Sequence, residues 1–151
     1  MIITYWFNAE ISRKITLFVL LVMFGMPSLL QAGWIDRTDN GGTVTASSQI
    51  HEGESKEMAF DNTTESKWLT GSTATGWIQF QFPNSQQYTI ARYSISSAND
   101  APERDPRNWT LYGSNDETNW FAVDSQVAQI WSDRYLRREF TCASPGAYNY
   151  Y

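Results

Sequence analysis

Between Met58 and Trp68 the chain places Asp61, Asn62, Thr63, Thr64, Glu65 and Ser66 in one unbroken polar run. Carboxylates, hydroxyls and carbonyls crowded into a tight turn are the donors a hard cation seeks. Calcium takes roughly 6–8 such oxygens, more than one short loop supplies. The same residues also read as an Asx-type turn, in which Asp61 and Asn62 cap nearby backbone groups without any metal.

A second group offers different chemistry. Asn99, Asp100, Arg104 and Asp105 fall on a stretch braced by Pro102 and Pro106, while His51, Glu52 and Glu54 follow the first strand-like segment. A sugar hydroxyl both donates and accepts, so a site for it needs a few charged or amide groups held beside an aromatic face. Asn99 and Arg104 supply donors, Glu54 and Asp105 supply acceptors, and His51 shares the Glu54 loop. Trp131, flanked by Gln129, Ile130, Ser132 and Asp133, has a loop setting suited to stacking under a pyranose ring. Plainer readings stand beside these: Arg104 and Asp105 could pair with each other and brace their own loop, and Trp131 could pack in the core.

Catalysis finds little support. His51 is the only histidine, which excludes a multi-histidine zinc site, and no Gly-x-Ser-x-Gly elbow accompanies it. The carboxylate pairs Glu52 with Glu54 and Asp100 with Asp105 lie on polar loops, without the burial that would raise one of two pKa values for a glycosidase. The reading is of a protein that is not an enzyme.

The elements that must position these loops are strands. Trp77, Ile78, Phe80 and Phe82 predict a strand over Gly76 to Phe82 that ends at Pro83. Trp109, Leu111 and Gly113 alternate with Thr110, Tyr112 and Ser114, the period of a strand with one buried face. Thr43 to Gln49, Tyr88 to Ser97, Trp120 to Asp124 and Arg134 to Thr141 complete the set, with Tyr148 to Tyr151 beginning another. Within Tyr88 to Ser97, Ile90 has the opposite parity to Ala91, Tyr93 and Ile95, so a bulge or burial on both faces is required. Trp77, Trp109 and Trp120 sit at strand positions and are expected in the core, as is Trp68. With no sustained helical periodicity, the class is all-β, an antiparallel sandwich.

Arg13 and Lys14 precede an uncharged run from Ile15 to Leu30, followed by Leu30-Gln31-Ala32. That is the form of a secretory signal peptide over residues 1–32, with 33–42 a polar linker and the domain at 43–151. The location implied is secreted, periplasmic or cell-surface. The chain has 11 basic and 16 acidic residues; removing Arg13, Lys14 and Glu10 with the leader leaves 9 and 15, a formal charge of −6. Such a surface disfavours nucleic acid, and its polar loop tips disfavour membrane lipid. Cys142, the single cysteine, has no intrachain partner and is expected to be buried.

The order and spacing of Ala59-Phe60-Asp61, Lys67-Trp68, Gly76-Trp77-Ile78-Gln79 and the segment Ser97 to Trp120 resemble the discoidin, or coagulation-factor type C, domain and its galactose-binding-like carbohydrate-binding-module relatives. The resemblance implies a jelly-roll sandwich that binds ligands through loops at one end. It also implies a structural calcium held by the Asp61 carboxylate, Ser66, and the carbonyls of Met58 and Thr63, with further ligands beyond Tyr151. The family pattern runs on past Tyr151, so the last strand is expected to be missing. The function expected is non-catalytic glycan recognition; the alternative is a cell-surface adhesion or protein-interaction domain.

Overall fold

The computed structural model describes residues 2–8, the first of these as backbone only, together with 34–71 and 74–151. The core of the expected leader and its cleavage pattern, Ile15 to Ala32, lie outside the described residues.

The described residues form ten strands: β1 (Ile2–Asn8), β2 (Trp34–Asp36), β3 (Thr43–Ala46), β4 (Ile78–Gln81), β5 (Tyr88–Thr89), β6 (Arg92–Ser96), β7 (Trp109–Gly113), β8 (Phe121–Gln126), β9 (Arg137–Thr141) and β10 (Ala147–Tyr148). Every pairing among them is antiparallel. One sheet has the order β2-β1-β6-β9. Opposite it lie two hairpins, β3-β4 and β7-β8, with β5-β10 as a short third pair. Tyr93 and Ile95 of β6, Phe140 of β9, Phe80 of β4, Leu111 of β7 and Val123 of β8 fall in one buried cluster. Apolar side chains from both layers therefore remove one another from water, the condition that makes a sandwich stable.

Local chemistry explains most element boundaries. In β7, Leu111 and Gly113 are buried while Thr110 and Tyr112 are exposed, the alternation read from the sequence. The parity conflict around Ile90 resolves as a break: β5 ends at Thr89, β6 starts at Arg92, and Ile90 is fully buried between them. β6 is also buried on both faces, Ser94 and Ser96 included. A side chain at Gly113 would collide with the Tyr148 ring, its Cβ falling 2.1 Å from a ring carbon, so this strand end admits only glycine. Tyr148 in turn stacks on Phe121, with ring centroids 6.0 Å apart.

Beneath β7 and β8 the core is polar at one point. Tyr93 donates to the Asp124 carboxyl at 2.6 Å, and the Trp109 indole N–H donates to the Tyr93 hydroxyl at 2.8 Å. Gln126 also donates to Asp124 at 2.9 Å. The Tyr93 hydroxyl, the Trp109 N–H and the Asp124 carboxyl thus each find a partner, which offsets the loss of water. Cys142 is buried as expected, and burial pushes its thiol up to about 12, so it stays protonated and inert.

One expectation is corrected. Trp77 and Trp120 are 56% and 37% exposed rather than in the core: Trp77 opens β4 at the loop end, and Trp120 lies in the turn before β8, its N–H on the Glu117 carbonyl. Within 33–42, Trp34–Asp36 pairs with β1 and Thr38 is buried. The Ile2–Asn8 backbone, inside the expected leader, occupies the position between β2 and β6.

Candidate functional site

Lys67 gathers the two polar loops. Its Nζ lies 2.6 Å from Asp100 Oδ1, 2.9 Å from Asn99 Oδ1 and 3.2 Å from Glu54 Oε1. The residue follows the turn closed by Trp68, whose buried ring and N–H, donated to the Ser48 carbonyl at 3.0 Å, fix the chain there. Only 12% of the Lys67 side chain is exposed. Burial works against its charge, yet the hydrogen bonds to Asp100 and Glu54 outweigh that and hold its pKa above the ordinary lysine value. The same contact holds Asp100 below the usual carboxylate range.

The His51 loop is set by its own backbone. His51 caps the single 3-10 turn Glu52–Glu54, its Nδ1 accepting the Gly53 N–H at 3.1 Å. The ring proton therefore sits on Nε2, which faces Glu54 Oε2 at 3.5 Å. On the opposite loop, Ala101 adopts a left-handed conformation at φ 47° and Pro102–Arg104 forms another 3-10 turn. That turn projects Arg104, 48% exposed, toward Asp100 at 3.7 Å. Of the residues named from sequence, His51, Glu54, Asn99 and Arg104 thus converge.

Asp105 takes another role. Read from sequence as a sugar acceptor, or alternatively as the partner of Arg104, it makes a two-pronged contact with Arg134: Nη1 donates to Oδ1 at 3.0 Å, and Nη2 donates to Oδ2. Arg134 Nη1 also reaches the Asp100 carbonyl at 3.2 Å. Parallel bonds from a planar guanidinium are geometrically restrictive, so Asp105 holds the loop in shape. Trp131 likewise moves from the loop tip to the core: it is 8% exposed, donates its N–H to the Pro106 carbonyl at 2.8 Å, and lies under Arg138 at 5.3 Å. The most exposed of the aromatics that line the cleft is Trp77, tied to Ser47 by backbone and side-chain bonds at 2.9 and 3.1 Å. It lines the same open cleft, of about 1240 Å³, as Lys67, Asp100 and Arg104.

Sequence reasoning missed Lys67, Asp100's central place and Trp77. The lysine sat beside a tryptophan that looked like packing, and nothing in its neighbours signals a partner some 30 positions away. A glycine immediately before Trp77 was the one available sign that the strand edge opens there.

The oxygen-rich turn is closed on itself. Asp61 Oδ1 accepts the Thr63 N–H at 3.2 Å, Oδ2 accepts the Ser66 hydroxyl, and Thr63 Oγ1 accepts the Glu65 N–H at 3.1 Å. Asn62, at φ 58°, donates its amide to Asp39. Met58 lies one turn earlier, in the 3-10 segment Lys56–Ala59. The donor types suit an oxygen-seeking cation, and Asp61 and Ser66 already converge. Among the described residues, no group of three acidic, histidine or cysteine side chains gathers there or elsewhere.

Comparisons with known proteins bear on the fold that carries these loops. Among solved structures, the chain is similar to the CpGH89CBM32-5 module of Clostridium perfringens, in complex with GalNAc-beta-1,3-galactose, at a TM-score of 0.60 and 16% identity, covering 76% of this chain and 82% of that one. It is also similar to chitosan-binding module 2 from the chitosanase/glucanase of Paenibacillus sp. IK-5, in complex with chitotriose, at 0.57 and 18% identity, over 75% and 82% of the two chains. At these identities the likeness establishes the galactose-binding-like sandwich fold. By sequence, a peptide-N(4)-(N-acetyl-beta-glucosaminyl)asparagine amidase of Arabidopsis thaliana is 38% identical over 107 residues, 70% of this chain but 15% of that protein. The family model of the F5/8 type C domain matches residues 43–144. Spanning most of the described sandwich, that match makes the chain a member of the F5/8 type C domain family.

Proposed function

We propose that this chain is a non-catalytic carbohydrate-binding module whose sugar site is the loop end around Lys67. The observation that carries the reading is the convergence of two loops on one buried lysine, which leaves Arg104 and the Asn99 amide nitrogen as donors and Asp100, Glu54 and His51 as neighbours, in the cleft lined by exposed Trp77. Fixed polar groups beside an aromatic face meet the needs of a pyranose. Trp77, in place of Trp131, is the stacking surface. The printed ligands of the two structural relatives, and the sugar named in the amidase relative, make N-acetylhexosamine-bearing glycans the first to test. The amidase activity belongs to a protein of which this chain spans a small part, and nothing in the described loops arranges an acid and a base about a cleft.

A shallow site with few anchors gives affinities on the order of 0.1–1 mM, raised where several modules are joined. Titrating the full chain with N-acetylglucosamine, N-acetylgalactosamine and chitotriose, with NMR chemical shifts as the readout, tests the assignment. Perturbation centred on Asn99, Arg104 and the Trp77 indole, and its loss by about tenfold in Lys67→Met and Arg104→Ala, is the expected result. Unchanged affinity in both variants removes the site from this loop end.

Calcium and export belong to the same proposal. Asp61 and Ser66, with the Met58 and Thr63 carbonyls, would hold the ion and so stiffen the turn before Lys67. A calcium-dependent rise in melting temperature, lost in Asp61→Ala, tests that. Cleavage of the leader after Ala32 predicts an exported protein beginning at Gly33; N-terminal sequencing decides it.

A further inference from the structure

We propose that Arg134 is the positioning residue of the sugar-binding end: it holds Ala101 in a left-handed turn and so delivers Asn99, Asp100 and Arg104 to the Lys67 cluster. This rests on the reading of that end as a sugar site. Ala101 has φ 47° and ψ 64°. In that conformation the Cβ crowds the following carbonyl, and alanine adopts it about tenfold less readily than glycine does. Such a backbone persists only where its surroundings over-determine it. Arg134 supplies the constraint from both sides of the turn. Before Ala101, its Nη1 donates to the Ala98 carbonyl at 3.4 Å and to the Asp100 carbonyl at 3.2 Å; after Ala101, the two-pronged contact takes hold of Asp105. Between those fixed points the 3-10 turn Pro102–Arg104 closes, the Arg104 N–H donating to the Ala101 carbonyl at 2.9 Å. The loop is thus held through its backbone by Arg134 and through its side chains by Lys67.

Arg134 is itself held in place. Its neighbours are laced to the root of the same loop: the Ser97 N–H donates to the Leu136 carbonyl at 3.0 Å, the Leu136 N–H to the Ser97 hydroxyl at 2.9 Å, and that hydroxyl to the Asp133 carbonyl at 2.8 Å. Tyr135, beside Arg134, is left-handed too, at φ 58°, and its N–H reaches the Ala98 carbonyl at 3.4 Å. Trp131 and Gln129 extend the lacing to the carbonyls of Pro106 and Arg107 at 2.8 and 2.9 Å. The connection between β8 and β9 is therefore a frame behind the sugar loop, and Arg134 is the point where the frame meets the turn. Asp105 is only 5% exposed, against 24% for Arg134. A lysine in place of Arg134 keeps the charge beside this carboxylate but presents a single point, which cannot hold two carbonyls and both carboxylate oxygens at once. Losing the fork lowers the fraction of molecules whose loop is competent, and the apparent affinity falls by that fraction.

The test compares the full chain with Arg134→Lys, Ala101→Gly and the double variant. One readout is affinity for N-acetylglucosamine, N-acetylgalactosamine and chitotriose. The other needs no sugar: the titration of the Asp100 carboxyl, followed by NMR. In Arg134→Lys, affinity should fall by about tenfold, and the Asp100 midpoint should rise toward the ordinary aspartate value as its contact with Lys67 loosens, although the positive charge is retained. Ala101→Gly should change little by itself, because the turn is already held. In the double variant it should recover about threefold or more, since glycine supplies the left-handed preference that lysine does not enforce. An unmoved Asp100 midpoint in Arg134→Lys overturns the proposal, as does an equal effect of Ala101→Gly in both backgrounds. Should Arg134→Lys not fold, Asp105→Asn, which cuts one prong of the fork, is read by the same two measures. If the parent chain binds none of the three sugars, the sugar site is lost, and the role of Arg134 still stands on a risen Asp100 midpoint or falls on an unmoved one.

Discussion

One layer of the sandwich runs continuously through β2, β1, β6 and β9, whereas the other consists of two hairpins joined through Asn149–Tyr151. In the continuous layer β6 has a strand on each side, and Tyr93 to Ser96 are buried on both of its faces. In the divided layer the same protein leaves β4 and β7 facing one another over a cleft, with three residues carrying the connection. The contrast shows that burial and pairing are separate requirements. Tyr93 and Ile95 line one side of the cleft. Openness and polar display then fall on the divided side, where Lys67, Arg104 and Trp77 border the same cleft.

Breaking the connection is expected to have the largest effect. Tyr151 is 3% exposed, its hydroxyl lies 2.7 Å from the Tyr88 carbonyl and 2.5 Å from that of Gly146, and it accepts the Ile90 N–H at 3.3 Å. Tyr151→Ala should destabilise the chain by about 3–5 kcal/mol, as truncating a buried aromatic does. Denaturant melts measure this, and a loss under about 1 kcal/mol would mean that the hairpins hold together without it. Next in size is the buried polar chain beneath the continuous layer. Tyr93→Phe leaves the Trp109 N–H without its acceptor and takes one donor from Asp124, a change expected to destabilise by about 1–3 kcal/mol.

The smallest effect lies at the loop end and depends on pH. Asp100 is held below the ordinary carboxylate value by Lys67, so its contribution is present above the unfolded value near ~3.9 and is lost as pH falls through the lowered one. Lys67 is raised, so its part is present below ~10.4 and is lost as pH rises through the folded value. The Lys67 cluster should therefore stay intact between about pH 4 and pH 10. Carboxyl chemical shifts of Asp100 would show this. A midpoint at or above the ordinary aspartate value would place Lys67 elsewhere.

Much of the fold was legible because its signals are local. Alternation located β7, the Pro83 stop located the end of β4, and the parity conflict at Ile90 foretold the break between β5 and β6. Sites were legible only as composition. The sequence showed that His51, Glu54, Asn99 and Arg104 lie on loops, but neither reading of Asp105, as a sugar acceptor or as the partner of Arg104, anticipated Arg134, which reaches it from far along the chain. Trp131 and Trp77 exchanged their expected roles for a related reason. A tryptophan beside polar residues and a tryptophan at the head of a strand have ordinary local surroundings, and which of them is covered depends on what packs over it.

By itself, then, the sequence determined the all-β class, most strand positions, the burial of Trp68 and Cys142, and the F5/8 type C resemblance, since each follows from residue type and short-range period. Tertiary structure alone decided that Lys67 unites Glu54 and Asp100 from two separate loops, that Arg134 holds Asp105, and that β4 and β7 face each other across Asn149–Tyr151. Those outcomes belong to contacts between distant segments, and a contact's energy depends on distance and burial in three dimensions, which no local pattern encodes.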